Sequence, residues 1–290
     1  MRSKDVALAV HRPIYLLTLT LTPYVLVGMH LSGIHIYPIK SCRGLSPDSW
    51  PVDRFGFQFD RRWMLIDERG VFLSQRTHRR LALVRITMGD EHFTVETEGK
   101  PAIQVSLYPP ELRPVRVVVW RDVMDACCPE PEADRWFSEF LGEEVRLAHM
   151  PDRVKRPLNP FYARNGGQAS FADAFPFLLI GQSSLDDLNR RMATPLPMNR
   201  FRPNLVVSGA EPFAEDGWQH IRIGSLELEV VKPCERCVVT TTDQETAMIG
   251  KEPLRTLATF RRVGNEVMFG MNAVHSGVGR LAIGDPVLLA

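Results

Sequence analysis

Short apolar runs and apolar/polar alternation dominate the chain, and helical spacing is confined to a few places. Ile34, Ile36 and Ile39 open the series, followed by stretches at 63–67, 93–96, 103–107 and 115–120. Successive strand residues point to opposite faces, so each stretch predicts a short strand of a sheet with one buried face. Helical spacing first appears at 132–141, where Trp136, Phe137, Phe140 and Leu141 share a face, Pro131 stands at the entry and Gly142 at the exit. Beyond it, 177–180 predicts a buried strand. Ser184 and Asp187 have the spacing of a capping box ahead of a helix that carries Leu185, Leu188 and Met192. Strands follow at 204–208, 221–223 and 226–231, the last alternating Leu226, Leu228 and Val230 with Glu227 and Glu229, and further strands lie around Val267 and Val287. A short helix is predicted at 253–260. No repeat of fixed period is present. Many short strands with few helices predict a β-rich α+β fold, with barrel-like sheets and the helices packed outside them.

Between the two halves, residues 151–168 form a polar stretch with Pro and Arg that predicts a long loop and places a domain junction near it. The expected units are 29–150 and 151–290. Arg153, Lys155, Arg156 and Arg164 in this stretch are candidates to line an anion site, set against the simpler reading of a solvated loop. At the N-terminus, residues 14–29 are nearly all apolar or Thr and follow Arg2, Lys4 and Arg12. The run is short for a bilayer span, Pro23 interrupts it, and no small-x-small cleavage site follows. Three readings of residues 1–28 stand: a membrane anchor, an ordinary packed segment, or an artefact of start-site choice with translation beginning at Met29. The last is preferred, because the chain reads as a structured domain from His30 onward.

Composition narrows the functional classes. A chain of 290 residues with 44% hydrophobic content can bury a substantial core. Lys plus Arg at 35 against Asp plus Glu at 34 gives a net charge of +1, which supplies no global field for nucleic acid, so any anion site must be local. The five cysteines, Cys42, Cys127, Cys128, Cys234 and Cys237, are too few and too unevenly spaced for a secreted disulfide scaffold. A reducing, cytoplasmic location is the expectation.

The sharpest local feature is Lys232-Pro233-Cys234-Glu235-Arg236-Cys237, after the alternating strand and before Val238-Val239-Thr240-Thr241-Thr242-Asp243. A tetrahedral zinc site needs two further ligands, and Cys127-Cys128 has the wrong spacing, which leaves His220 and His275 as weak candidates. A thioredoxin-like dithiol sits at a helix N-terminus, whereas the residues on both sides here read as strand. Taken alone, the pair is best explained as two partly buried thiols at a strand end. Three cationic motifs change its meaning. Asn199-Arg200-Phe201-Arg202-Pro203-Asn204 places two guanidinium groups and two amides beside a strand, and guanidinium groups suit a bidentate grip on phosphate. Tyr37-Pro38-Ile39-Lys40-Ser41-Cys42-Arg43-Gly44 adds an ammonium, a hydroxyl and a turn whose N–H groups can cradle an anion. Asp60-Arg61-Arg62-Trp63 repeats the theme. Each motif alone is more simply a turn or a surface ion pair. Together with a thiol pair they outline a site for a phosphorylated, sulfur-bound metal cofactor.

These four motifs, in this order, resemble the signatures of proteins with an N-terminal MOSC β-barrel domain followed by a MOSC β-barrel domain, a group that includes amidoxime-reducing components. The resemblance runs from about Met29 to the end of the sequence. It implies a molybdenum cofactor, Mo-molybdopterin, with Cys237 as the metal ligand; a soft thiolate suits a metal already held by dithiolene sulfurs. It also implies that Lys40, Ser41, Arg61, Arg202 and Asn204 hold the pterin and its phosphate, with Cys234 and Arg236 in the same metal-side loop. The implied activity is reduction of N-hydroxylated small molecules: hydroxylamines, amidoximes, hydroxamic acids and N-hydroxylated bases. A cofactor or sulfur carrier without turnover is the alternative. Asp243 is a possible proton relay or simply a turn residue. Some relatives carry a ferredoxin-like domain with four cysteines for a [2Fe-2S] cluster; this sequence has no such run, so electrons are expected from a separate flavoprotein, ferredoxin or cytochrome.

Overall fold

The computed structural model describes residues 28–164 and 166–290, and the alternatives for residues 1–27 lie outside them. Among the described residues no helix is long and apolar enough to cross a membrane. The largest sheet has eight strands. Its order is His30–Ile34, Leu205–Ser208, Phe177–Gly181, Glu266–Ser276, Leu226–Glu235, His220–Ile223 and Val287–Leu289, with Arg262–Val263 paired to the edge of Glu266–Ser276. The two ends of this order meet, since His30 bridges Pro286 and the N–H groups of Leu31 and Val287 donate to Asp285 O (2.9 Å) and Met29 O (2.8 Å). The sheet therefore curls into a nearly closed barrel, which removes most of its edges.

The alternation along these strands explains the barrel interior. Leu31, Ile34, Phe177, Leu179, Leu205, Val207, Leu228, Met271 and Ala273 are all buried in one cluster, while Glu227 and Arg222 between the inward positions are exposed. One neighbouring pair is parallel, Phe177–Gly181 beside Leu205–Ser208. A parallel neighbour needs a crossover, and the helix Gln182–Arg190 supplies it.

A second core lies in the first half of the chain. A four-stranded sheet (Trp63–Ile66, Arg146–His149, Asp122–Cys127, Pro114–Val119) and a three-stranded one (Arg85–Met88, His92–Thr97, Lys100–Ser106) pack around Trp63, Phe93 and Leu147. The helix Pro131–Leu141 closes this core with Ala133, Trp136, Phe137 and Phe140. Its end is set by Gly142, which takes a left-handed φ of 79° and donates its N–H to Ser138 O. The halves are interleaved. The His30–Ile34 strand belongs to the barrel built otherwise from residues after 150, and Ser49–Asp53 pairs with Gly279–Ala282.

Several local expectations are corrected. Ser184 does not cap the Gln182–Arg190 helix. Its hydroxyl donates to Glu215 Oε2 (2.9 Å), and Glu215 Oε1 accepts from Gly181 N (3.0 Å), so a buried carboxylate from elsewhere in the chain satisfies the helix start. The helix at 253–260 is a single turn, Leu254–Leu257. Ile36 and Ile39 sit in isolated bridges, to Leu45 and Trp63, because the first strand ends at Ile34. The residues after Cys237 form a 3-10 turn, Val238–Thr241, rather than a strand, while the strand before them extends through Cys234 to Glu235.

Candidate functional site

All eight residues expected at the site line one cleft of about 150 Å³: Lys40, Ser41, Arg61, Arg202, Asn204, Cys234, Arg236 and Cys237. Four chain segments supply them. Lys40 and Ser41 lie in a turn tied to the Trp63–Ile66 strand by Lys40 N to Trp63 O (2.8 Å). Arg61 lies in the turn before that strand. Arg202 and Asn204 lead from the short helix Met198–Arg200 into the Leu205–Ser208 strand, and the two cysteines leave the end of Leu226–Glu235.

The backbone here is held in a costly conformation. Ser41, Arg61 and Arg202 all have left-handed φ, at 70°, 51° and 54°. For residues with a Cβ this costs roughly 1 kcal/mol or more each, and such strain persists where the surroundings force it, commonly at ligand sites. Two of the three, Arg61 and Arg202, belong to a cluster around Tyr37. The Arg202 and Arg61 guanidinium carbons lie 4.2 and 4.6 Å from the centre of its ring, and its hydroxyl donates to Pro203 O (3.1 Å). Gly44 lies against the same ring, where a Cβ would come within 2.4 Å of Tyr37 Cε1. Arg61 Nη1 also donates to Asp60 Oδ2 (2.5 Å) and to Asn204 Oδ1 (3.1 Å), which ties two of the motifs together.

The charges at the cleft are incompletely paired. Lys40 Nζ donates to Phe171 O (2.8 Å) and Asp173 Oδ1 (2.5 Å), and Asp60 pairs with Arg61. Arg202 donates to Cys42 O (2.8 Å) and Arg236 to Phe201 O (2.6 Å); both acceptors are neutral carbonyls. Arg236 Nε is buried without an acceptor. Lys40, Arg61, Arg76, Arg202 and Arg236 line the cleft against the carboxylates of Asp173 and Glu235, so the residues fit a phosphate-bearing group. The Arg236 guanidinium also reaches the cysteine pair, with Nη1 3.0 Å from Cys234 Sγ. Cys237 is half-buried, and its backbone is extended at the start of the 3-10 turn, with Thr240 Oγ1 donating to its carbonyl (2.9 Å).

Comparison with known proteins follows the same span. The model described as "MOSC N-terminal beta barrel domain" matches residues 28–144, and the model described as "MOSC domain" matches residues 166–288. Mitochondrial amidoxime-reducing component 1 of Mus musculus is 34% identical over 279 residues, spanning 89% of this chain and 82% of that protein. The chain belongs to the MOSC family. Mitochondrial amidoxime reducing component 2 of Rattus norvegicus is 35% identical with the same coverage. Molybdenum cofactor sulfurase of Danio rerio is 32% identical over 89% of this chain, which spans 34% of that longer protein.

Other cationic residues of the motifs face away from the MOSC cleft. Arg62 turns to the opposite side, donating to Met150 O (2.5 Å) and Asp152 Oδ1 (2.8 Å). Arg43 pairs with Glu245 on the surface. Arg200 is buried and lies 3.4 Å from Asp243 Oδ2. Asp243 itself accepts from the N–H groups of Glu245 and Thr246 (both 3.0 Å) and does not line the cleft, which is the geometry of a turn residue. In the 151–168 loop, Lys155 and Arg164 are exposed and Arg153 pairs with Glu111. Arg156 is buried and donates to Ser170 O (2.7 Å), Ala172 O (2.5 Å) and Asp173 O (3.2 Å), so it shapes the backbone that presents Asp173 rather than lining the cleft. Among the described residues no group of three His, Cys, Asp or Glu side chains is placed to hold a metal, and His220 and His275 lie outside the cleft.

Electrostatics separate the thiols further. Burial pushes the Cys42 thiol up to about 12 and those of Cys127 and Cys128 up to about 11, so none of the three supplies a thiolate near neutrality. Burial also draws the Lys40 ammonium down to about 8, against the opposing pull of Asp173. Desolvation acts upward on the Asp173 carboxyl, but Lys40, Arg76 and Arg61 outweigh it and hold that group well below the usual carboxylate range. Sequence reasoning did not single out Tyr37, Asp60, Asp173 or Gln75 as site residues. Tyr37 and Asp60 lay within the quoted motifs. Asp173 and Gln75, whose amide holds Ser41 O at 2.7 Å, carried no signal of their own.

Proposed function

We propose that this MOSC protein binds a molybdenum-pterin cofactor in the cleft and reduces N–O bonds of N-hydroxylated small molecules: hydroxylamines, amidoximes, hydroxamic acids and N-hydroxylated bases. The observation that carries the reading is one cavity that brings Lys40, Arg61 and Arg202 together with Cys237 and with Arg236, whose Nε is buried without an acceptor. Similarity to the amidoxime-reducing components over most of both chains supports the choice of reaction.

In this reading Lys40, Arg61 and Arg202 hold the phosphate, and Ser41 and Asn204 line the pterin. Arg236 engages Cys234 and leaves the Cys237 thiolate to the metal. When bound, the cofactor supplies a two-electron redox centre that takes oxygen from nitrogen. The overall change for a hydroxylamine is R–NHOH + 2e⁻ + 2H⁺ → R–NH₂ + H₂O, with electrons from a separate flavoprotein, ferredoxin or cytochrome. The protein's part is orientation: the strained turns and the Tyr37 cluster fix the cations before the ligand arrives, so little ordering is left to be done on binding.

Metal analysis of protein purified from a cofactor-producing host is the first test, and absence of molybdenum sinks the proposal. With metal present, Cys237→Ala abolishes reduction of benzamidoxime by a chemical reductant; retained turnover removes the thiolate from the reaction. The sulfurase relatives support a second reading, a cofactor or sulfur carrier. A carrier holds the cofactor yet shows no turnover with the wild-type protein.

A further inference from the structure

The segment 74–80 runs along the rim of the cleft. Ser74 and Arg76 line it, and Gln75 reaches both Ser41 O (2.7 Å) and the side chain of Gln244, to which it is joined by reciprocal amide bonds of 3.1 and 3.0 Å. Outward from that tether the segment exposes Arg76, Arg79 and Arg80. Arg76 stacks 4.3 Å over the half-exposed Trp120 ring, and Arg80 lies 4.5 Å over Phe140. None of the three arginines has a carboxylate at ion-pair distance among the described residues, whereas His78 between them is paired with Glu143. Next to Cys237, on the loop that Gln244 ties to this segment, the surface turns apolar: Val238 is 47% exposed, Met248 71% and Ile249 53%.

A cationic edge whose Arg79 and Arg80 have no carboxylate partner among the described residues, beside an exposed apolar patch, has the anatomy of a transient protein interface: the charges steer the encounter and the apolar centre holds it. The net charge of the chain is only +1, so the excess is local to this rim. That argues against a nucleic-acid surface, which is gripped by a broad basic field.

We propose that segment 74–80, with Val238, Met248 and Ile249, is the docking surface for a redox protein whose exposed cofactor is ringed by carboxylates. The inference rests on the reductase reading, which requires two electrons per turnover from outside the chain, and it assigns their entry to the cleft mouth beside Cys237.

The test uses an acidic plant-type [2Fe-2S] ferredoxin as probe, a basic c-type cytochrome as charge control, and surface plasmon resonance of the holoprotein. Ferredoxin binds the wild type more tightly than the cytochrome does. Binding weakens as ionic strength rises from about 0.01 to about 0.15 M, over which the screening length falls from about 30 to about 8 Å. Arg79→Glu/Arg80→Glu weakens it about tenfold or more, and Arg79→Gln/Arg80→Gln gives an intermediate loss. Unchanged binding in the charge-reversed variant overturns the proposal. So does a wild type that prefers the cytochrome, anionic lipid vesicles or duplex DNA to ferredoxin. Both arginines lie outside the cleft, so benzamidoxime turnover driven by a reduced viologen dye is the same in wild type and variants. If the wild type lacks that turnover, the reductase reading fails, whereas the binding data alone decide the docking surface.

Discussion

Replacing Gly44 by Ala tests whether the Tyr37 cluster holds the cleft together. An added Cβ would lie 2.4 Å from Tyr37 Cε1, 2.6 Å from Cδ1 and 3.0 Å from Ile36 O, all inside van der Waals contact. The ring cannot simply swing away. It is 3% exposed, faces Arg202 and Arg61 at 4.2 and 4.6 Å, and is anchored by its hydroxyl on Pro203 O. Overpacking of this kind costs about 1–3 kcal/mol, and loss of the Tyr37 hydrogen bond adds about 1 kcal/mol, for a destabilisation of about 2–4 kcal/mol. With a urea slope of about 3 kcal/mol/M, the unfolding midpoint drops by about 1 M. Titration with inorganic sulfate shows weaker binding as well, since both guanidinium groups lose their brace. In a Tyr37→Ala background the same substitution costs less, because both ring clashes are gone and only the 3.0 Å approach to Ile36 O remains. A Gly44→Ala midpoint equal to the wild type refutes the reasoning, and so does an equal penalty in the two backgrounds.

Lys40 makes anion binding pH-dependent: its ammonium titrates near 8, and an anion binds the protonated form, so sulfate affinity falls as pH rises through about 8, by up to about tenfold per unit. Sulfate does not itself titrate in this range, and Lys40→Arg flattens the profile; calorimetry showing a flat wild-type profile would exclude Lys40 as the titrating group. Glu215→Ala leaves Gly181 N and Ser184 Oγ, both at a buried helix start, without their acceptor, and lowers stability by about 2–4 kcal/mol in urea unfolding. A loss below about 0.5 kcal/mol would mean that the carboxylate is not what completes that helix.

The four chemical motifs were legible because each is local: a turn or a strand end with its cations within a few residues. Their convergence was not. Lys40, Arg61, Arg202 and Cys237 come from both halves of the chain, and the interleaving that unites them depends on the His30–Ile34 strand joining a barrel formed mainly by later residues. Ser184 illustrates the limit of local rules. Its spacing to Asp187 fits a capping box, but a buried carboxylate 31 positions away competes for its hydroxyl and wins.

The sequence by itself determined the strand periodicity, the Pro131–Leu141 helix with its glycine stop, and the residue types from which the cleft is built, because these depend on side-chain spacing and turn chemistry alone. The tertiary structure decided which of two like neighbours serves the cleft. Arg61 enters it while Arg62 reaches across to Asp152, and Arg202 enters while Arg200 turns to Asp243. The chemistry within each pair is identical. What separates them is the left-handed backbone at Arg61 and Arg202, whose guanidinium groups pack on the Tyr37 ring, and the Arg202 contact exists only once the two halves have come together.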